Sequence, residues 1–127
     1  MHLINGTHIL LLSEDADADR AFFRDVLGFK SIDAGHGWLI FALPPAEAAV
    51  HPMNGERQTH GGNAMAQANV YLMCNDLDAE IKRLRDKNVS CSKVETERWG
   101  KKTSFRLPSG AELGLYQPTH PTAIGLK

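Results

Sequence analysis

Three things are scarce in this chain, and each scarcity argues against a class of explanation. The 127 residues include two cysteines, Cys74 and Cys91, in separate apolar segments and without C-x-x-C spacing. A disulfide framework or zinc pair does not fit that pattern, which reads instead as two small apolar residues of the interior. Charge of one sign is also lacking: 14 Lys+Arg stand against 15 Asp+Glu, a formal net charge of -1, with no basic run. A nucleic acid or an anionic membrane surface would find no electrostatic footprint here. Long apolar runs are missing too. Residues 9–12 form the longest one near the start, far too short for a signal-peptide core or a membrane span. A soluble, cytoplasmic protein is expected, with neither nucleic acid nor membrane as partner.

What is present suffices for one folded domain, since a chain of this length can bury a core without disulfide or metal staples. Residues 8–12 read as a strand, and Asp15 offers a side-chain oxygen to the free N–H groups of a helix running to about residue 27. Phe22, Phe23, Val26 and Leu27 make its apolar stripe, and Gly28 ends it. Strands are expected at 29–32, 38–43 and 47–52, with turns at Gly35 and Gly37 and at Pro44 and Pro45. Residues 53–67 are polar, glycine-bearing and aperiodic, so they read as a linker, with His60 a solvated loop residue.

The same order then returns. Residues 70–74 read as a strand, Asp76 as a cap, and Leu77, Ile81 and Leu84 as the buried stripe of a helix ending at Asn88. Strands at 89–94, 103–107 and 113–116 follow. The repeat extends to detail: "FALPPAEAAVHP" from Phe41 is answered by "FRLPSGAELGLYQP" from Phe105, with one residue more in the second turn. Module one spans 3–52, module two 68–118, and a tail 119–127. Units of this size are too short to fold as separate domains, so they are expected to pack on each other. A sheet with a helix on one face leaves its other face open. The expected fold is therefore α+β: tandem βαβββ modules pairing into an eight-stranded open cup with two helices outside.

With these residues in view, the chain resembles the vicinal oxygen chelate superfamily of glyoxalase I, bleomycin-resistance proteins, fosfomycin-resistance enzymes and extradiol dioxygenases. The stretches that carry the resemblance are "HILLLSEDADADRAFFRDVLGF", "NVYLMCNDLDAEIKRLRDKNV" and "LPSGAELGLYQP". The resemblance implies a cleft holding a divalent metal, bound at the first strand and on the last strand of each module. Such a metal chelates two neighbouring oxygens of a substrate and stabilises an enediolate or similar anion.

Carried over position by position, the ligands match unevenly. His8, seven residues before Asp15, matches the first-strand histidine, whereas Asn69, seven before Asp76, puts a neutral amide in the corresponding place. The carboxylate position on the last strand falls on Gly114, which the repeat equates with Ala49. Glu47 and Glu112 lie early in their strands and do not supply it by position. Alternation sets His51 on the face of Ala49, so His8 and His51 are the candidate ligands for zinc, iron, nickel or manganese. The plainer reading makes His8 a hydrogen-bonded wall residue and His51 a strand end before Pro52.

Alternation also gives the expected wall of a small-molecule cleft. Leu10 shares the face of His8; Tyr71 and Met73 share that of Asn69; Tyr116 shares that of Gly114. Trp38 and Trp99 are candidate rim residues, though either also suits a core. No wall residue is acidic, which speaks against a cationic drug.

The expected function is a small-molecule cleft protein of glyoxalase or dioxygenase type, with an incomplete metal site. In its catalytic version it is a lyase, isomerase or dioxygenase acting on a vicinal-oxygen substrate. His8 and His51 then hold the metal, and Tyr116 acts as acid/base or as donor to a developing oxyanion. The alternative is a metal-free binding or resistance-type protein without catalysis, and a third reading is an accessory module with a vestigial cleft. The resemblance implies paired modules, either within the chain or swapped across a dimer, and the linker is long enough for both; a homodimer is expected on that resemblance.

Overall fold

The computed structural model describes residues 8–50, 67–124 and 126. Two helices form where the caps place them. Helix α1 (Ala16–Asp25) begins where the Asp15 carboxylate accepts the Ala18 N–H at 3.2 Å. Helix α2 (Leu77–Asp86) repeats the device, with Asp76 accepting from Ala79 at 3.1 Å. Each cap satisfies a donor that the first helical turn leaves without a partner. Beyond the two helices, Gly28 and Asn88 take positive φ of 75° and 64° and turn the chain away.

Six strands occur among the described residues. In chain order they are β1 (Ser31–Asp33), β2 (Leu39–Phe41), β3 (Tyr71–Met73), β4 (Glu95–Glu97), β5 (Gly100–Arg106) and β6 (Glu112–Pro118). β1 and β2 make an antiparallel hairpin. The other four form one sheet in the order β3-β6-β5-β4, with β3 parallel to β6 and the remaining pairs antiparallel. The fold is mixed α+β with two helices, as expected.

Three expected strands differ. Residues 8–12 form no ladder, and Leu10 and Leu12 are each 60% exposed. Four consecutive apolar residues suit a strand covered on both faces, and among the described residues of the chain this run has no pairing neighbour. Residues 47–50 likewise form no strand, and the rest of that segment, His51 included, lies outside the described residues. Residues 89–94 make one bridge, Cys91 to Phe105. There Ser92 mixes backbone and side-chain bonds: its N–H donates to the Ser104 carbonyl at 2.8 Å, the Ser104 N–H donates to Ser92 Oγ at 2.9 Å, and Thr103 Oγ1 donates to the Ser92 carbonyl at 2.6 Å. The chain resumes pairing at β4, which the alternation of apolar residues did not mark because it reads Glu-Thr-Glu. At the β4–β5 turn Gly100, at φ 153°, lies so close to the Gln117 carbonyl that a side chain would overlap it.

One face of the four-stranded sheet carries the core. Leu77 and Leu84 of α2 meet Phe105, Leu107, Leu113 and Leu115, and Phe22, Phe23, Val26 and Leu27 of α1 pack on the same cluster. Phe22 stacks on Phe105 at 6.1 Å between centroids. Both helices thus cover one sheet, and α1 is further held there by Asp19. Its buried carboxylate accepts the Ser109 N–H at 3.0 Å and the Ser109 hydroxyl at 2.7 Å, pinning the β5–β6 turn. Both cysteines are free and half-buried, and burial pushes their thiols up. No helix among the described residues is long and apolar enough to cross a membrane.

Candidate functional site

Since Leu113 and Leu115 point into the core, the alternate residues of β6 face the other way. Register then assembles the opposite face of the sheet. Tyr71 pairs with Gly114, Met73 with Tyr116, Lys102 with Tyr116 and Ser104 with Gly114. Tyr71 lies with its ring across Gly114, so that a Cβ at that position would sit inside the ring's contact radius. Trp99, from the β4–β5 turn, completes an aromatic group. Ring centroids are 5.6 Å apart for Tyr71–Tyr116, 6.4 Å for Tyr71–Trp99 and 5.4 Å for Trp99–Tyr116, and each pair is close to perpendicular. Edge-to-face contacts of this kind add stability beyond the area they bury. Lys102 sets its ammonium 5.3 Å from the Trp99 ring centroid, a cation–π contact.

Two polar residues close on Tyr116. Its hydroxyl lies 3.5 Å from Glu47 Oε2 and 3.2 Å from His120 Nε2. Burial, then the neighbouring Glu47 charge and hydrogen bond, push the Tyr116 phenol above its ordinary ionisation range. It is held as a neutral phenol. Strand position alone does not mark Glu47, and no motif in the sequence marks His120 or Lys102. The pairing of Lys102 opposite Tyr116 was open to period-two counting on β5, while nothing local marks His120.

The other candidate residues are dispersed. Asn69 is exposed, two positions before Tyr71. His8 is exposed on its unpaired segment and makes no hydrogen bond to the aromatic group. Trp38 sits on the β1–β2 hairpin beneath the Arg20 guanidinium, 4.7 Å from its ring centroid, and is not part of the group. Two hollows of about 530 and 420 Å³ lie elsewhere; Met73 lines the smaller, and neither touches Tyr71 or Tyr116.

A family model described as Glyoxalase/Bleomycin resistance protein/Dioxygenase superfamily matches residues 7–115. The chain belongs to this superfamily. No curated protein matches the chain closely enough to name a relative. Among solved structures, it is similar to TnmS3, an antibiotic binding protein from Streptomyces sp. CB03234, at 22% identity and TM-score 0.63, covering 94% of this chain and 100% of that one. Lactoylglutathione lyase from Agrobacterium tumefaciens gives 20% identity and TM-score 0.60, with 91% and 96% covered. A glyoxalase/bleomycin resistance protein from the same Streptomyces gives 24% and 0.53, with 83% and 93% covered. These likenesses establish the glyoxalase-superfamily fold.

Members of the superfamily often bind divalent metals, so the fit of such an ion can be tested on the residues present. Gly114 has no ligating atom, and the space a longer side chain would need is taken by Tyr71. Ala49 offers only a methyl group, and Asn69 an amide. Among the described residues no three His, Cys, Asp or Glu side chains converge as a metal group. The described residues do not fit the superfamily's metal.

Proposed function

We propose that this protein binds a small organic molecule without a metal, on the open sheet face built around Tyr71, Trp99 and Tyr116. The observation that carries the reading is the Tyr71 ring lying across Gly114. A position that would hold a carboxylate ligand instead supports an aromatic surface, and such surfaces with a few polar groups favour small-molecule ligands. Lys102, Glu47 and His120 supply the polar groups. Met73 and Gly114 belong to the same face by register. The antibiotic-binding TnmS3 shows that this fold can serve a ligand-binding role, as lactoylglutathione lyase shows that it can serve catalysis, so the choice of binding rests on the aromatic face.

Calorimetric titration of chelator-treated protein against fused-ring aromatics, 1-naphthol and phenazine among them, tests this. Saturable binding that survives chelation and is lost in Tyr71→Ala is expected. A near-stoichiometric metal in purified protein, with a melting shift abolished by His8→Ala, would overturn it in favour of a lyase or dioxygenase using His8 and His51.

A homodimer is part of the same proposal. The exposed apolar run 9–12 and the outer edge of β3, unpaired among the described residues, suit a second copy better than water. Sedimentation showing only monomer at micromolar concentration would remove that part.

A further inference from the structure

The hydrogen bonds at Tyr116 can run in two directions, and His120 sets which. The Pro121 carbonyl oxygen lies 2.7 Å from His120 Nδ1. A carbonyl only accepts, so Nδ1 carries a hydrogen. In the neutral ring Nε2 is then an acceptor and takes the Tyr116 hydroxyl hydrogen across 3.2 Å. Once the ring gains a proton, Nε2 becomes a donor and can no longer accept it. The Tyr116 hydrogen turns to Glu47 Oε2 at 3.5 Å, and the imidazolium faces that same oxygen at 3.8 Å.

Glu47 is well placed to join the parts. Its side chain is only 17% exposed, and its other oxygen accepts the Ala123 N–H at 2.8 Å. One carboxylate from module one thus reaches both Tyr116 and the C-terminal segment. The start of that segment is tied separately: the Thr119 N–H donates to the Trp99 carbonyl, and its hydroxyl to the Arg98 carbonyl, each at 3.0 Å.

We propose that His120 is a proton-driven clasp: gaining a proton draws residues 119–123 onto Glu47 and closes them over Tyr116, and losing it loosens them. The sign follows from the charges. The imidazolium is attracted to Glu47 and the neutral ring is not, so the closed form is favoured at low pH. It weakens as pH rises through the range where histidines titrate, about 5 to 8. Among the described residues, the titratable groups facing the ring are Glu47, from the segment after β2, and Tyr116 of β6, with Tyr71 behind it. Lys102 of β5, over Trp99, is engaged by Glu97 at 3.9 Å. Tyr116 stays protonated through this range, so its hydroxyl changes partner without losing its hydrogen. The clasp does not depend on which ligand the sheet face takes.

The protein carries its own reporter. Trp38→Phe leaves Trp99 as the sole tryptophan, touching Tyr116 and holding Thr119. In that background the Trp99 emission is expected to change in a single transition between about pH 5 and 8. The transition should vanish on adding His120→Gln. It should shrink on adding Glu47→Gln, which keeps an acceptor for Ala123 and removes the charge that draws the imidazolium. Emission flat across the range, or an unchanged transition in the His120→Gln variant, would overturn the proposal. Nitrogen chemical shifts of the His120 ring in the unaltered protein give a check that needs no variant. The Nδ1–H tautomer is expected at high pH, and the Nε2–H tautomer would overturn the clasp.

Discussion

Modules one and two carry the same local instructions and reach different ends. Each has an aspartate cap, a ten-residue helix and a positive-φ residue after it, with cap distances of 3.2 and 3.1 Å. Yet module two completes a four-stranded sheet, while the described residues of module one form a two-stranded hairpin and leave residues 9–12 exposed. A helix closes its hydrogen bonds within four residues, so a short stretch suffices to start and stop it. A strand must find its partner elsewhere; among the described residues β3, which opens module two, has one in β6, and residues 8–12, which open module one, have none. The helix of module one finds its apolar contacts on the core of module two, so what separates the modules is sheet completion.

The widest test of this contrast is core truncation. Phe105→Ala is expected to cost about 3–5 kcal/mol, whereas Leu12→Ala, at concentrations where the chain is monomeric, should stay within about 0.5 kcal/mol. Denaturant unfolding of both reads the difference, and equal losses would break the comparison. Asp19→Ala severs the link between α1 and the β5–β6 turn and leaves two Ser109 donors without their partner. A loss of roughly 1–3 kcal/mol is expected, and an unchanged midpoint would mean that α1 is held by apolar packing alone.

Within module two, Gly114→Ala drives a methyl group into the Tyr71 ring, at an expected cost of about 1–3 kcal/mol. Combined with Tyr71→Ala, the loss should fall short of the sum by about 0.5 kcal/mol or more; strict additivity would detach the two residues. Asp15→Ala and Asp76→Ala should each cost about 1 kcal/mol and agree within a few tenths, since the caps are local and alike. Divergent values would show that a cap depends on the sheet behind its helix.

The smallest effect concerns alkaline pH and is read on module two, which holds both tyrosines. The folded protein raises the Tyr116 ionisation by burial and by Glu47. The stability this brings is complete below the unfolded phenol value of about 10 and is lost as pH climbs through the higher folded value. Ultraviolet titration should find one of the two tyrosines ionising late, and Tyr116→Phe should remove the late step.

How much was legible depends on the range of each interaction. The caps at Asp15 and Asp76, the stripe of Leu77 and Leu84, and the turn residue Asn88 are local features, and they stand where the sequence puts them. Tyr71, Gly114 and Tyr116 were assigned one face by alternation along their own strands, and the parallel register of β3 and β6 sets Tyr71 beside Gly114. Strands 8–12 and 47–52 were read from composition and from the repeat, but a repeat carries no ladder partner with it. Trp38 was offered to the rim by residue type alone, and the hairpin carries it beneath Arg20 instead.

The sequence by itself determined where the helices start and stop, which residues of β6 share a face, and the superfamily to which the chain belongs, because each depends on near neighbours or on a motif along one segment. The tertiary structure decided that Tyr71 covers Gly114, that Asp19 pins Ser109 from 90 residues away, and that Glu47 meets Tyr116 and His120 across 69 and 73 positions. Those contacts form when distant segments pack on one core, and no spacing in the chain encodes them.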